Sequence, residues 1–237
     1  MEKRSFNLEN VIAIILAFVG GMLDVYCLFN FGLYGMMQTG NVIKLVMHLI
    51  DGNINMFLVT LLIVFSFVIG LFLAYLIKFL QKQPSTTIFF ILAIIVLFCI
   101  ILVPNDQETG KITSFEYIAA LLFGLEGAFI IHAFSNFGNN ATSSAMMTAN
   151  LNRLVNTVFI SAKEKDKSYR SVILTYALIL ISFMLGIAGG YTYLKFIPVI
   201  NDGFMSLYEY NLILFVPFVL LIVTLLFKLK INKQIRD

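Results

Sequence analysis

Charge is the scarcest commodity in this 237-residue chain, at only 12% Asp, Glu, Lys and Arg. Soluble globular domains average about 25%, so this chain has too little polar surface to cover itself in water. Cysteine is almost as rare. Cys27 and Cys99 both lie in apolar stretches without CxxC spacing, which excludes a disulfide frame and a zinc site. No P-loop, GxSxG, HExxH or dinucleotide fingerprint occurs. That argues against motif-bearing membrane enzymes and an ATP-driven pump, and no cofactor is expected. The two histidines, His48 and His132, are not at metal-ligand spacing, so each reads as a packed or hydrogen-bonded residue and no metal site is expected.

What is present is apolar bulk: 60% hydrophobic residues and a mean hydropathy of +0.94. Long apolar runs cover residues 11–31, 56–80, 87–103, 115–134, 171–197 and 210–229. Most reach the ~20 residues a membrane-crossing helix needs, and 87–103 is at the short end of that range. Two weaker segments, 36–50 and 145–162, carry Lys44, His48 and Arg153. The N-terminal run loosely resembles a signal peptide but continues past a signal's length without a small-residue cleavage site, so it reads as a retained first span. The connectors, such as QKQPSTT at 81–87 and PNDQETGKITS at 104–114, are short. The net charge of +3 sits in clusters between the runs, an orientation signal at a membrane face rather than a nucleic-acid footprint.

The chain repeats itself. Thr39-Gly40-Asn41-Val42-Ile43-Lys44-Leu45 matches Thr148-Ala149-Asn150-Leu151-Asn152-Arg153-Leu154, a T-[GA]-N-x-x-[KR]-L pattern at an offset of 109. Asn30-Phe31-Gly32 echoes Asn136-Phe137-Gly138, and Ser66-Phe67-Val68-Ile69-Gly70 echoes Ser182-Phe183-Met184-Leu185-Gly186. Three matches in one order define repeats at 8–104 and 112–230. The fold class expected is an all-α polytopic membrane protein, each repeat holding three transmembrane helices plus one short broken or re-entrant helix.

Two topologies compete. With six crossings the repeats are inverted relative to one another; with eight they are parallel. Six crossings place Lys3, Arg4, Lys78, Lys82, Lys163, Lys165, Lys167, Arg170, Lys228, Lys230, Lys233 and Arg236 on one face and Lys111 and Lys195 on the other. Eight crossings exchange Lys78 and Lys82 for Lys111. The positive-inside rule therefore favours six by a small margin, with both termini cytoplasmic in either case. The apolar stretch from Val42 to Ile50 adds weight, because nine residues rise only ~14 Å and a bilayer core is ~30 Å thick.

The T-[GA]-N segments carry the candidate site. Thr39 and Thr148 are read as helix N-caps, with Asn41 and Asn150 bonding nearby backbone. Gly40 and Ala149 allow close approach of a chain segment or solute. A half-helix starting there aims its free N–H groups at the bilayer interior, which suits a small polar or anionic solute; the alternative is that these residues only terminate and pack a broken helix. Lys44 and Arg153 either face the bundle interior or snorkel to the headgroups. Asp24 and Glu126 lie inside strong apolar runs, where an isolated carboxylate is protonated or paired. The expected pairing is with Arg153 and Lys44. Gly70 with Ala74, and Gly186 with Gly190, have the spacing of close helix contacts, serving either inter-repeat packing or a homodimer.

The residues Gly20-Gly21-x-x-Asp24, followed by Gln38-Thr39-Gly40-Asn41 and a cation–Leu pair, resemble the YoaK-like bacterial integral membrane proteins, a domain of unknown function running nearly the whole chain. The resemblance implies a bacterial cell membrane location and names no substrate. In the second half the family's Gly-Met-Gln-Asn and Thr-Gly stretches read Gly124-Leu125-Glu126-Gly127 and Met147-Thr148-Ala149-Asn150 here. A solute transporter or channel is the leading expectation. A membrane enzyme using Asp24, Glu126 or His132 on a lipid-soluble substrate, and a non-catalytic assembly protein, are the alternatives.

Overall fold

A computed structural model of the chain describes residues 7–80, 86–104, 114–133, 136–137, 140–142, 147–196 and 210–236. The connectors at 81–87 and 104–114 fall largely outside these residues, as do Lys3, Arg4, Lys82 and Lys111. The described chain is almost entirely helical: α1 (Leu8–Phe31), α2 (Gln38–Ile50), α3 (Ile54–Leu80), α4 (Thr87–Ile101), α5 (Ser114–Ala133), α6 (Met147–Glu164), α7 (Arg170–Phe196) and α8 (Phe215–Arg236). Five stretches are long and apolar enough to cross a membrane: α1, α3, α5, α7 and Asn211–Lys230. The chain is an all-α polytopic membrane protein. α4, with 15 residues, rises only ~22 Å.

Local chemistry sets the helix ends. Asn7 and Asn10 exchange side-chain and backbone hydrogen bonds in a capping box that starts α1. Gly32 ends it at φ 65°, donating its N–H to Leu28 O, a left-handed cap that glycine adopts without Cβ strain. A two-stranded pairing of 136–137 with 140–141 precedes α6. It falls within the polar stretch 135–144, which no helical or strand periodicity marked.

Burial separates central helices from peripheral ones. α1 is covered along most of its length and α5 along half, whereas α3 and α7 turn most of their surface outward. The central helices are gripped by small and hydroxylated residues. Along α1 and α7, Asn10 Nδ2 donates to Thr175 Oγ1 at 2.6 Å and Ser182 Oγ to Ile14 O at 2.8 Å. Further along, Gly186 lies against the Phe18 carbonyl, Gly21 against the Phe183 carbonyl, and Gly190 against Val25. α3 and α5 meet in the same way. Ser66 Oγ reaches Ala120 O at 3.5 Å, Gly124 abuts Ser66 and the Ile63 carbonyl, and Gly70 abuts Ala128. No Cβ fits at these close points, so glycine lets the backbones touch. The small-residue faces at Gly70 and Gly186 are thus occupied within the chain.

These contacts also fix direction. Residue numbers rise together along α1 with α7 and along α3 with α5, where His132 stacks edge-on to Tyr75 at 4.9 Å. They run oppositely along α4 and α5, since Phe89 near the start of α4 lies 5.7 Å from His132 near the end of α5. α4 and α8 are also antiparallel, with Phe98 facing Phe218 at 6.1 Å. Asn211 Nδ2 donates to Ile101 O at 3.1 Å and Val103 O at 2.7 Å, and Asn211 Oδ1 accepts from the Tyr26 hydroxyl. This amide ties the ends of α1 and α4 to the start of the last span. Hence α1, α4 and α7 run one way and α3, α5 and α8 the other. α1 ends where α3 begins, and α5 ends where α7 begins, at the opposite end of the bundle.

Candidate functional site

The turn between α1 and α2 folds back beside α1. Asp24 Oδ1 accepts from the N–H of Met36 at 2.7 Å and of Met37 at 3.4 Å. Asp24 precedes the end of α1 by seven residues, so the turn descends ~10 Å from that end. There α2 begins and runs back out for 13 residues, ~20 Å.

The motif residues hold this turn. Asn41 is fully buried. Its Oδ1 accepts from Tyr34 N at 2.8 Å, and its Nδ2 donates to Tyr34 O at 2.6 Å and to Gln38 Oε1 at 3.1 Å. One side chain thus satisfies both backbone groups of Tyr34, which the turn leaves without helical partners. Gly40 makes room for the Tyr34 ring, which a methyl there would approach to 2.7 Å. The Lys44 ammonium donates to the Gly32 carbonyl and lies 4.8 Å from the centroid of that ring.

Two expectations are corrected here. Thr39 is not the N-cap of α2. The cap position is Met37, which makes no side-chain cap bond, and Thr39 faces outward. Thr148 likewise lies inside α6 and is exposed. A carboxylate from a neighbouring helix serves the first N–H groups of the α2 entry instead, and a carboxylate beside those groups suits the positive helix end. The pairing of Asp24 and Glu126 with Lys44 and Arg153 is not formed among the described residues. Asp24 takes backbone donors, Lys44 takes a backbone carbonyl, and both Glu126 oxygens are buried without a hydrogen-bond partner.

Glu126 belongs to the same neighbourhood. Phe123 and Gly127, its i−3 and i+1 neighbours on α5, border the turn: Gly35 sits against Leu23 O and the Phe123 ring, and a methyl on Gly127 would stand 2.9 Å from Gly35 O. Phe123 also packs on Tyr26 at 5.8 Å and on Phe31 at 6.1 Å. Asp24, Gly40, Asn41, Lys44 and the Glu126 stretch of α5 therefore surround one buried turn. Asp24 Oδ2, like Glu126, has no hydrogen-bond partner among the described residues.

The second motif lies at the start of α6, beside α7. Asn150 is fully buried, and Arg153 Nη1 donates to its Oδ1 at 3.2 Å. Ala149 is partly buried. Tyr176 of α7 donates to Ala141 O at 2.6 Å, fixing the strand that leads into α6. A surface cleft of about 270 Å³ opens at Ser161, Ala162, Lys165, Asp166 and Arg170, at the far end of α6 from the motif. His132 packs between Tyr75 and Phe89, with Nδ1 3.3 Å from Ala128 O, toward the opposite end of the bundle from the α1–α2 turn. Tyr34 and Asn211 were missed by sequence reasoning. Tyr34 lies between two apolar segments and Asn211 near the start of another, with no spacing to mark them; the fold of the turn onto Asn41 gives Tyr34 its role, and contact with distant helices gives Asn211 its own.

The chain belongs to the family described as Protein of unknown function (DUF1275), whose model matches residues 12–227, from α1 into α8. This agrees with the YoaK-like resemblance. No curated protein and no solved structure matches the chain.

Proposed function

We propose that this family member is a small-solute transporter or channel of the bacterial cell membrane, with six crossings, two inverted repeats and cytoplasmic termini. The observation that carries the reading is the placement of the two weak helices. α2 lies between helix ends that meet at one end of the bundle, and α6 between ends that meet at the other. Such segments enter and leave on one side, and opposed broken helices in inverted halves are a transporter architecture; that last step is an analogy of architecture. The doubling is supported by exchanged contacts. Ser66 bonds Ala120 O and Ser182 bonds Ile14 O, and Ile14 to Ala120 is the same 106-residue spacing as Asn30 to Asn136. Lys78, Lys163, Lys165, Arg170, Lys228 and Lys230 gather at the end where α1 begins, which fits a cytoplasmic face.

The site is the turn framed by Asp24, Asn41 and Glu126, together with Thr39, Gly40 and Lys44. Thr148, Ala149, Asn150 and Arg153 serve the matching position in the second repeat. Because Asp24 already occupies the α2 entry, an anion has no free N–H cluster there. The uncommitted oxygens of Asp24 and Glu126 are acceptors, so a donor-bearing polar solute or a proton fits better. The test is flux into proteoliposomes enclosing a pH dye, against a panel of small amines, amides and carboxylates. Wild-type protein is expected to move a donor-bearing solute or protons, and Glu126→Gln to slow that flux about tenfold, the order seen when one hydrogen-bonding contact is lost. If nothing on the panel, protons included, crosses faster than in protein-free vesicles, the reading fails.

A further inference from the structure

α2 and α6 each pack along the helix that follows, α3 and α7 respectively, and each leaves another flank uncovered. On α2 that flank is Val42, Ile43, Val46, Met47, Leu49 and Ile50, all exposed and all apolar, as hydrocarbon requires. The motif register places Asn152 and Asn156 of α6 where α2 has Ile43 and Met47, at the same offset of 109. Both asparagines are exposed, and neither side chain makes a hydrogen bond among the described residues. They are four residues apart and so share a face. Around them Val155 and Phe159 are 60% and 70% exposed, so the surface is apolar apart from the two amides. The buried Asn150 lies immediately deeper on the same helix. An amide facing hydrocarbon without a partner is strongly disfavoured, so a partner is required.

We propose that Asn152, Val155, Asn156 and Phe159 form a self-association surface, and that its occupant is α6 of a second copy of this chain. An amide carries donors and an acceptor together, so it pairs with its own image across a two-fold axis, the commonest symmetry of oligomers. Asparagine amides join helices in this way inside membranes. Thr148, Asn152, Val155, Phe159 and Ala162 follow a four-three-four-three spacing, that of a helix seam. The face carries no charge between Thr148 and Ala162, so an identical surface meets it without repulsion. The inference rests on α6 lying at membrane depth and is independent of whether a solute is moved.

The experiment uses the full chain in native membranes with Cys99→Ser removing the exposed native thiol. Val155→Cys keeps both amides and places a thiol between them; Val46→Cys is the matched position on α2, and Ala162→Cys is a second probe one heptad along the seam. Under mild oxidant, Val155→Cys and Ala162→Cys are expected to give a covalent dimer in at least about tenfold higher yield than Val46→Cys. Adding Asn152→Leu and Asn156→Leu to the Val155→Cys chain is expected to cut that yield about fivefold or more, the order of one membrane hydrogen bond. Equal cross-linking at Val46, or a yield unchanged by the leucines, overturns the proposal. So does labelling of Val155→Cys by a membrane-impermeant maleimide without dimer formation, which would place this face on a wet pathway. None of these readouts depends on flux, so their failure and that of the transport reading are separate.

Discussion

The α2 and α6 segments share seven-residue motifs, yet the structure uses them differently. In both, the asparagine is fully buried. In α2 the cation turns back to the Gly32 carbonyl and the Tyr34 ring, whereas in α6 it bonds the motif's own Asn150. The outward faces differ most, with Ile43 and Met47 on one helix and Asn152 and Asn156 on the other. The repeat therefore preserves what must be satisfied inside a membrane, and the positions facing away have diverged.

The sharpest way to break this comparison is at the asparagine. Asn41→Ala leaves the Tyr34 N–H and C=O without the partner that the fully buried Asn41 gives them, and each such group costs ~1–3 kcal/mol. A loss of about 3 kcal/mol is expected, read as a lowered midpoint in thermal unfolding of the detergent-solubilised protein. An unchanged midpoint would remove Asn41 from its place as the clamp. Next comes the small residue. Gly40→Ala pushes a methyl into the Tyr34 ring, and overpacking of this kind costs ~1–3 kcal/mol. In α6, Ala149→Gly is expected to cost only the helix-propensity difference, under about 1 kcal/mol. Equal effects of the two would mean that the Tyr34 ring yields freely. The smallest change is at the threonine. Thr39→Ala removes an exposed side chain that caps nothing, so its midpoint is expected to match wild type within about 0.5 kcal/mol. A loss near 1 kcal/mol, typical of a broken N-cap, would restore the role read from the motif alone.

Much of the fold was legible beforehand. Composition gave the membrane, apolar length gave the spans, and the structure's helices match the runs to within a few residues at most ends. The exception is the C-terminal run, read as ending at 229, where α8 continues through the polar stretch to Arg236. The motif pointed correctly to Asn41 as a backbone-bonding residue, since its amide holds both backbone groups of Tyr34; Asn150 is equally buried, and its amide oxygen accepts from the Arg153 side chain. The motif misplaced the cap, because the acceptor that serves the α2 entry comes from Asp24 on another helix. It also misjudged the charges. In sequence, carboxylates and cations in apolar runs invite pairing, but backbone N–H and C=O groups of the turn stood nearer to Asp24 and Lys44 and took them, while Arg153 turned to the Asn150 amide.

By itself, then, the sequence determined the solvent this protein lives in, the stretches that become helices and the repetition of one motif, since hydrophobic length and local pattern act over neighbouring residues. Only the tertiary structure decided that Asp24 holds the buried turn, that Gly21, Gly124 and Gly186 serve contacts between distant helices, and that Glu126 stands beside them with no hydrogen-bond partner among the described residues. Those outcomes depend on which helices touch and in which direction, and a backbone group inside a membrane bonds whatever partner lies within its reach, however far away in the chain.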